Sequence, residues 1–329
     1  MEAFVTGGTG FLGRHLVELL VENGWKITAL HRRTSDTGHL QKPEITLVEG
    51  DVTDIDSLRL AMPEKPDAVF HAAADTSQWI LANRKQTAVN VDGTRNMTSV
   101  ALEKGAGRFI QTSSIAEFGF HPGVITEETV SNAMNGRSNY MRTKWQSAMV
   151  VDQAIGKGLD AVFLNPCHIL GPYDTHNWSQ LFFLIQEGRL PGIPGGTGTF
   201  CHAREAARAH ITAFEKGKTG ERYILGGVEA PFLELAQEIG KVIGKKTPGK
   251  PLPTTVLKTI ARFSQWISYI TRKEPDLTPE KIELSTEHLR ASSEKAIREL
   301  GYRPVPLVDM VRDCHNWLVN SCLLPEHDA

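Results

Sequence analysis

The segment TGGTGFLG, residues 6–13, constrains the fold more than any other part of the chain. An apolar run, EAFVT, precedes it, and an amphipathic segment from Phe11 to Gly24 follows it. Glycines at these spacings let the backbone turn tightly, bring bare N–H groups close to a phosphate, and let the helix pack against the strand. A strand, a glycine turn and a helix in this order predict a dinucleotide-binding site rather than a purely structural turn. The predicted contact residues are Gly7, Thr9, Gly10, Phe11, Leu12 and Gly13.

The first half of the chain alternates short β-branched runs, such as KITAL, ITLVEG and DAVFHAA, with amphipathic segments. This alternation predicts βαβ units, and we expect an α/β fold with a doubly wound, Rossmann-type parallel sheet. Past Pro166, clusters of Gly and Pro indicate loops. We therefore expect a dinucleotide-binding domain over residues 1–170 and a smaller, mostly substrate-binding domain over residues 171–329. The run ERYILGG indicates that the sheet regains a strand near residues 199–227.

Composition and charge narrow the class of partner. The 329 residues are 40% hydrophobic and carry a formal net charge of -2, with both signs interspersed. This balance favours a small-molecule substrate and gives no basic field for nucleic acid. The four cysteines form no CxxC pair, which predicts reduced thiols, a cytoplasmic location and no metal site. We expect no export signal before the first strand, and no membrane span, because Lys258 and Arg262 interrupt the longest apolar stretch.

The end of the second predicted strand bears on the choice of cofactor. A carboxylate there would hydrogen-bond the ribose 2'-hydroxyl of NAD, whereas this chain has His31, Arg32 and Arg33. A guanidinium can bind a 2'-phosphate through two hydrogen bonds, so NADP(H) is favoured and NAD(H) is the alternative. The arginines could also be ordinary solvated surface charges. Asp51, after the third strand, is placed to accept a hydrogen bond from an adenine amino group.

The segment SNYMRTKW sets Tyr140 four positions before Lys144, so the two side chains share a face if the segment is helical. We expect the ammonium to lower the pKa of the phenol, which could then exchange a proton near neutral pH. The same spacing also occurs by chance. At the end of the fifth strand, Ser114 is the preferred donor to a reacting oxygen, and Ser113 is expected to satisfy a backbone group.

Taken together, these motifs resemble those of the extended short-chain dehydrogenase/reductases over nearly the whole chain. The motifs that carry the resemblance are TGGTGFLG at 6–13, GDVTD at 50–54, HAAA at 71–74, NVDGTRN at 90–96, TSS at 112–114, YMRTK at 140–144 and NPCHILGP at 165–172. The resemblance implies that Tyr140 is the general acid, that Lys144 tunes it and holds the nicotinamide ribose, and that Ser114 binds the reacting oxygen. It also places HAAA along the cofactor and allows a homodimer. The further expected cofactor contacts are Val52, Ala72, Ala73, Ala74, Thr112, Pro166 and His168.

The resemblance also separates the branches of the family. Dehydratases usually carry Thr-Asp-Glu where this chain has Ser114 and the two residues after it. Epimerases commonly carry Arg at the position of Asn165 and Asn at that of His168. The segment NPCHILGP is more similar to dihydroflavonol reductases and 3β-hydroxysteroid dehydrogenases. We expect an NADP(H)-dependent reductase of a ketone or aldehyde on a fairly apolar substrate. The alternatives are a sugar-nucleotide epimerase that retains NAD and a binding protein that senses the NADP(H) ratio.

Aromatic residues after residue 171 suggest where the substrate lies. The expected substrate contacts are Thr76, Phe118 and Trp178, while His168 is either a cofactor or substrate contact or a structural histidine. Between Val256 and Ile270, apolar residues recur at helical spacing beside basic ones. Packing over the substrate domain is the favoured explanation for that stripe, and a membrane-surface or partner role is the alternative.

Overall fold

The computed structural model describes residues 1–325. The strands are β1 (Glu2–Thr6), β2 (Lys26–His31), β3 (Ile45–Glu49), β4 (Ala68–His71), β5 (Arg108–Thr112), β6 (Val124–Ile125), β7 (Ala161–Pro166), β8 (His168–Leu170), β9 (Thr197–His202), β10 (Arg222–Leu225), β11 (Val228–Pro231) and β12 (Arg290–Ala291). The α-helices are α1 (Phe11–Glu22), α2 (Ile55–Ala61), α3 (Asn83–Thr87), α4 (Gly93–Glu103), α5 (Asn139–Ile155), α6 (Gln180–Gln186), α7 (Ala203–Lys216), α8 (Phe232–Val242), α9 (Thr254–Thr271), α10 (Pro279–Thr286), α11 (Glu294–Leu300) and α12 (Leu307–Asn320).

Seven strands form one sheet in the order β10-β7-β5-β4-β1-β2-β3, and every neighbouring pair in it is parallel. Side chains alternate between its two faces, so Val5 packs with α1 and α7 while Phe4 packs with α4 and α5. The predicted doubly wound parallel sheet is confirmed. Its last strand, β10, comes from the second half of the chain and pairs Tyr223 with Leu164.

A smaller sheet stands beside the carboxyl end of β7, because β8 follows β7 after a single residue. In this sheet β9 runs parallel to β8 and antiparallel to β11. A separate hydrophobic core fills the space between this sheet and helices α6, α8 and α12. The core includes Phe182, Phe200, Phe232, Leu235, Met310 and Leu318. The second half of the chain therefore builds one wall at the end of the main sheet where parallel strands present their loops.

Helices α3 and α4 form one continuous rod, joined by a turn of π-helix over Ala88–Asp92. Turns of this type are frequent at functional sites. Here the turn points Asn90 at the loop after β4, where its side chain accepts a hydrogen bond from the Asp75 N–H (2.8 Å) and donates to the Asp75 carbonyl (2.9 Å). Asn90 also donates to Thr143 Oγ1 of α5 (3.1 Å), which ties this loop to the helix carrying Tyr140.

Helix α9 packs on α10 through Leu257 and Ala261, which are buried against Ile282. The expectation that the stripe from Val256 to Ile270 packs over the substrate domain is wrong. The packed face is rotated around the helix, which leaves most of the stripe exposed. Within residues 1–325, no helix is both long enough and apolar enough to cross a membrane.

Candidate active site

A cleft of about 1640 Å³ runs along the carboxyl ends of the central strands and ends against the small sheet. It brings together nearly all of the residues expected at the site. Those that line it are Gly7, Thr9, Gly10, Phe11, Leu12, Gly13, Arg32, Asp51, Val52, Ala72, Ala73, Ala74, Thr76, Thr112, Ser114, Tyr140, Lys144, Pro166, His168 and Trp178. Two expected residues, Arg33 and Phe118, lie outside its lining.

The glycine turn is held by backbone contacts. Gly7 adopts a φ of +75°, and a Cβ atom there would lie 2.6 Å from the backbone of Ala72. A Cβ atom on Gly13 would lie 2.0 Å from the Gly7 carbonyl oxygen, so α1 can approach β1 only with glycine at this position. Helix α1 begins at Phe11 with no side-chain cap, and the N–H groups of its first turn have no acceptor within the helix. Free N–H groups and the helix dipole suit a bound pyrophosphate.

Just after β2, Arg32 and Ser35 line the cleft. The Ser35 N–H donates to the Arg32 carbonyl (2.9 Å), which closes a tight turn with Arg33 at its tip. Arg33 is exposed and lies outside the cleft lining, so its expected cofactor contact stays a prediction. In the part of the chain that the structure describes, the Arg32 guanidinium makes no ion pair. One carboxylate oxygen of Asp51 accepts from Thr53 N (2.9 Å) and Thr53 Oγ1 (2.8 Å).

Tyr140 and Lys144 lie in the first turns of α5, which Ser138 caps by accepting from the Met141 N–H (3.4 Å). The Ser114 hydroxyl, at the end of β5, lies near enough to the Tyr140 hydroxyl to favour its ionised form, and it accepts from the Ala116 N–H (3.2 Å). Lys144 Nζ lies 5.9 Å from the centroid of the Tyr140 ring and donates to the Thr112 carbonyl (3.1 Å). A phenol, a hydroxyl and an amine thus meet on one wall of the cleft.

Burial shifts the pKa values of Tyr140 and Lys144. It raises the pKa of Tyr140 above its ordinary value, and the nearby Ser114 hydroxyl offsets part of that rise. Burial also lowers the pKa of Lys144 to about 8, against a smaller opposing effect of the Glu117 carboxylate. The direction is opposite to the predicted lowering of the Tyr140 pKa, because desolvation of the buried phenolate is the largest effect on it. At neutral pH the phenol carries its proton and can donate it.

A buried carboxylate, Glu117, supports the site from behind, and the sequence reasoning missed it. It accepts from Ser113 Oγ (2.7 Å) and Asn165 Nδ2 (2.8 Å) at one oxygen, and from Arg222 Nε (2.6 Å) at the other. Asn165 Nδ2 also donates to the Ser114 carbonyl (3.0 Å). The expectation that Ser113 satisfies a backbone group is corrected, since its hydroxyl donates to Glu117. Nothing in the spacing of these residues signals the network, because its members come from three separate segments of the chain, around residues 113–117, 165 and 222.

The HAAA segment is positioned by a buried histidine. His71 Nδ1 is paired with Thr6 Oγ1 (2.7 Å), and Nε2 is paired with Thr94 Oγ1 (3.2 Å). Burial lowers the pKa of His71 to about 3, so the ring is neutral. Thr6 Oγ1 in turn accepts from the Ala73 N–H (3.3 Å), which fixes the backbone of the segment along the cleft.

The opposite wall of the cleft is aromatic. His168 packs edge-on against Trp178, with ring centroids 5.1 Å apart, and against Phe232 at 5.6 Å. Burial lowers the pKa of His168 to about 4, so it presents a neutral ring. Phe183 also lines the cleft, whereas Phe182 faces the core. The other apolar residues of this wall are Leu181, Leu184, Leu190, Ile193, Ile267, Leu277, Leu284 and Leu289.

The expected substrate contact by Phe118 is wrong. Phe118 follows the short 3-10 turn after Ser114 and is 3% exposed. It packs into a core cluster with Ile125, Ile224 and Leu289. The turn directs its ring away from the cleft, while Ile115 and Ala116 line it.

The cations on the substrate side of the cleft have carboxylate partners. Lys281 lies 3.3 Å from Glu274, Lys85 lies 3.8 Å from Asp75, and Arg189 is paired with Glu187. Each of these three cations therefore has a carboxylate partner within residues 1–325.

Comparisons with known proteins agree with this geometry. The model of the NAD dependent epimerase/dehydratase family matches residues 3–226. A Synechocystis protein named "Putative dihydroflavonol 4-reductase" is 28% identical over 325 residues, which span 96% of this chain and 94% of that protein. A 2-alkyl-3-oxoalkanoate reductase from Stenotrophomonas maltophilia is 31% identical over 319 residues, which span 92% of this chain and 95% of the reductase.

Solved structures show the same architecture. The crystal structure of gox2253 superposes with a TM-score of 0.84 at 31% identity and covers 97% of this chain and 98% of its own. Structures of UDP-sugar epimerases share the fold at 19 or 20% identity. The matched relatives therefore include reductases, and the fold is common to reductases and epimerases.

Proposed function

We propose that this chain, which belongs to the NAD dependent epimerase/dehydratase family, is an NADP(H)-dependent oxidoreductase that reduces a ketone or aldehyde on a small, fairly apolar substrate. The observation that carries the proposal is the contact between Ser114 and Tyr140 in a cleft that joins the glycine turn to an aromatic wall. The same site would oxidise the corresponding alcohol in reverse.

In the proposed mechanism, Tyr140, Ser114 and Lys144 have separate tasks. A nicotinamide bound in the cleft would supply the hydride to the carbonyl carbon. Tyr140 then donates its proton to the carbonyl oxygen, and Ser114 donates a hydrogen bond to that oxygen as negative charge develops. Lys144, anchored on the Thr112 carbonyl, holds the nicotinamide ribose and adds positive charge beside the phenol. Because burial keeps Tyr140 protonated, the resting site is ready for reduction.

Preference for NADP(H) follows from Arg32 in this proposal. Its guanidinium lines the cleft just beyond β2 without a carboxylate partner, so it is available to a 2'-phosphate. The chain has no acidic residue from His31 to Ser35, where a carboxylate would bind the ribose of NAD.

An apolar substrate is supported by the aromatic wall and by the pairing of the cations near it. A sugar nucleotide carries a diphosphate, and the cations near the substrate wall are already bound to Glu274, Asp75 and Glu187. The epimerase alternative keeps support from the family itself, whose description names epimerases. We assign most of the substrate contacts to residues 171–329.

The test of activity is a screen of the purified full-length protein for NADPH oxidation. We expect consumption of NADPH with at least one class among aromatic aldehydes, flavonoid-like ketones, steroid-like ketones and β-keto esters, and slower consumption of NADH. Cofactor retained through purification is identified in the same preparation. Tightly held NAD, together with no NADPH consumption on any carbonyl, would replace the proposal with the epimerase.

Tyr140→Phe tests the proton donor. Removing the hydroxyl should lower kcat about 100- to 10,000-fold, the range contributed by a positioned acid, while the Kd for NADPH changes less than about threefold. Tyr269→Phe is the matched control, because Tyr269 is exposed on α9 and lies outside the cleft lining. A Tyr140→Phe variant that retains full turnover would end the assignment.

A further inference from the structure

Helix α9 presents an apolar face to solvent. Phe263, Trp266 and Ile270 are 63%, 60% and 70% exposed, and Phe263 and Trp266 stack on each other with centroids 6.2 Å apart. Val256 extends the same face toward the start of the helix. Large apolar side chains at this spacing form a continuous stripe, and exposing such a stripe to water is unfavourable.

The segment that contains this stripe is strongly basic. Residues 245–273 contain seven basic residues and no acidic residue, in a chain whose formal net charge is -2. The basic residues are Lys245, Lys246, Lys250, Lys258, Arg262, Arg272 and Lys273. All seven are exposed, and none of them has an ion-pair partner within the described residues. Unpaired cations beside an apolar stripe complement a surface that offers both negative charge and an apolar layer.

We propose that α9 docks on the surface of an anionic membrane, with its axis in the plane of the interface. Phe263, Trp266 and Ile270 would enter the boundary between headgroups and acyl chains, and the basic residues of the segment would lie on the lipid phosphates. Neither α9 nor another helix of residues 1–325 can cross a membrane, so the association is peripheral.

A neighbouring loop is fixed against α9. Trp79 Nε1 donates to Ser268 Oγ (2.9 Å), which joins the segment after β4 to the buried face of the helix. The next two residues, Ile80 and Leu81, are exposed large apolar side chains. The loop therefore holds two further exposed apolar side chains close to α9.

The docking face adjoins the entrance of the cleft. Ser264 and Ile267 line the cleft from α9, and they follow Phe263 and precede Ile270 within about one helical turn. Docking would therefore turn the cleft entrance toward the bilayer, from which a lipid-soluble carbonyl compound could enter. This last step rests on the proposed function, whereas docking itself does not.

Vesicle flotation of the full-length protein tests the docking. We expect the wild-type protein to float with phosphatidylcholine vesicles containing about 30% phosphatidylserine, to bind pure phosphatidylcholine at least tenfold more weakly, and to be released by high salt. The double variant Phe263→Ser/Ile270→Ser should lose at least about tenfold in vesicle affinity. Lys258→Gln/Arg262→Gln should weaken binding to the anionic vesicles by about fivefold for each charge removed.

Matched variants control for surface changes elsewhere. Leu60→Ser/Val130→Ser removes two exposed apolar side chains, and Lys42→Gln/Lys157→Gln removes two exposed cations, all outside α9. Both should float like the wild-type protein.

The proposal is overturned if the wild-type protein does not bind anionic vesicles at low salt, or if the α9 variants bind as well as their controls. It is also overturned if the wild type is a lipid-free dimer that Phe263→Ser/Ile270→Ser converts to a monomer, because a second copy would then cover the face. Since flotation needs no substrate, failure of the proposed reaction leaves this result unaffected.

Discussion

The two ends of the cleft are built by different means. At the glycine turn, the backbone of Gly7 lies against the backbones of Gly13 and Ala72, so the geometry depends on the absence of side chains. At the substrate end, the rings of His168, Trp178 and Phe232 form the wall, and their packing could be changed ring by ring. A site assembled in this way can alter its substrate without disturbing its cofactor. Substitutions at the two ends should therefore differ in kind as well as in size.

The largest effect is expected from Gly13→Ala. The added Cβ atom would lie 2.0 Å from the Gly7 carbonyl oxygen, and the nearest atoms all belong to the backbone of Gly7 and Gly8, which cannot move aside as a flexible side chain could. The turn must open, which should weaken NADPH binding at least about 100-fold and lower the free energy of unfolding by about 1–3 kcal/mol, as overpacking does. Fluorescence titration with NADPH and denaturant unfolding measure the two quantities.

Gly123→Ala is the control for this substitution. A Cβ atom on Gly123 would meet no heavy atom within 4 Å, so the free energy of unfolding should change by less than about 0.5 kcal/mol. Wild-type NADPH affinity in Gly13→Ala would contradict the contrast between a backbone-built end and a side-chain-built end.

The next effect concerns Arg32, to which we assign the preference for NADPH. Arg32→Gln should weaken NADPH binding by about 10- to 100-fold, the loss of a charged hydrogen-bonding group, and leave NADH binding nearly unchanged. Arg33→Gln is the matched control, since Arg33 stands at the exposed tip of the same turn. Equal effects of the two substitutions on the Kd for NADPH would mean that general surface charge, and not a specific contact, favours NADPH.

Sequence reasoning succeeded where local chain geometry decides the outcome. The period of the apolar residues predicted the parallel sheet, and the glycine spacing predicted the turn before α1. The four-residue spacing of Tyr140 and Lys144 predicted a shared helical face, which α5 provides. Each of these patterns depends on residues close in sequence, so one stretch of chain holds the whole signal.

Features that depend on distant segments could not be predicted in the same way. The Glu117 network joins residues from separate strands and loops, and the desolvation that raises the Tyr140 pKa comes from everything packed around it. Phe118 follows Ser114 closely in the chain, yet a short 3-10 turn sends it into the core. The apolar stripe of α9 was visible, but which side of the helix is covered depends on α10.

The smallest effect on binding is expected at the side-chain-built end, from Phe183→Ala. Phe183 lines the cleft, so truncating it should raise the KM for the best apolar substrate by about tenfold, the value of burying a large part of an apolar side chain. The Kd for NADPH should stay within about twofold, because the aromatic wall lies at the other end of the cleft from the glycine turn. Phe182→Ala supplies the contrast. Phe182 is fully buried, so truncating it should lower the free energy of unfolding by about 3–5 kcal/mol. If Phe183→Ala instead weakens NADPH as strongly as Arg32→Gln, the two ends are coupled and substrate choice cannot vary independently of the cofactor.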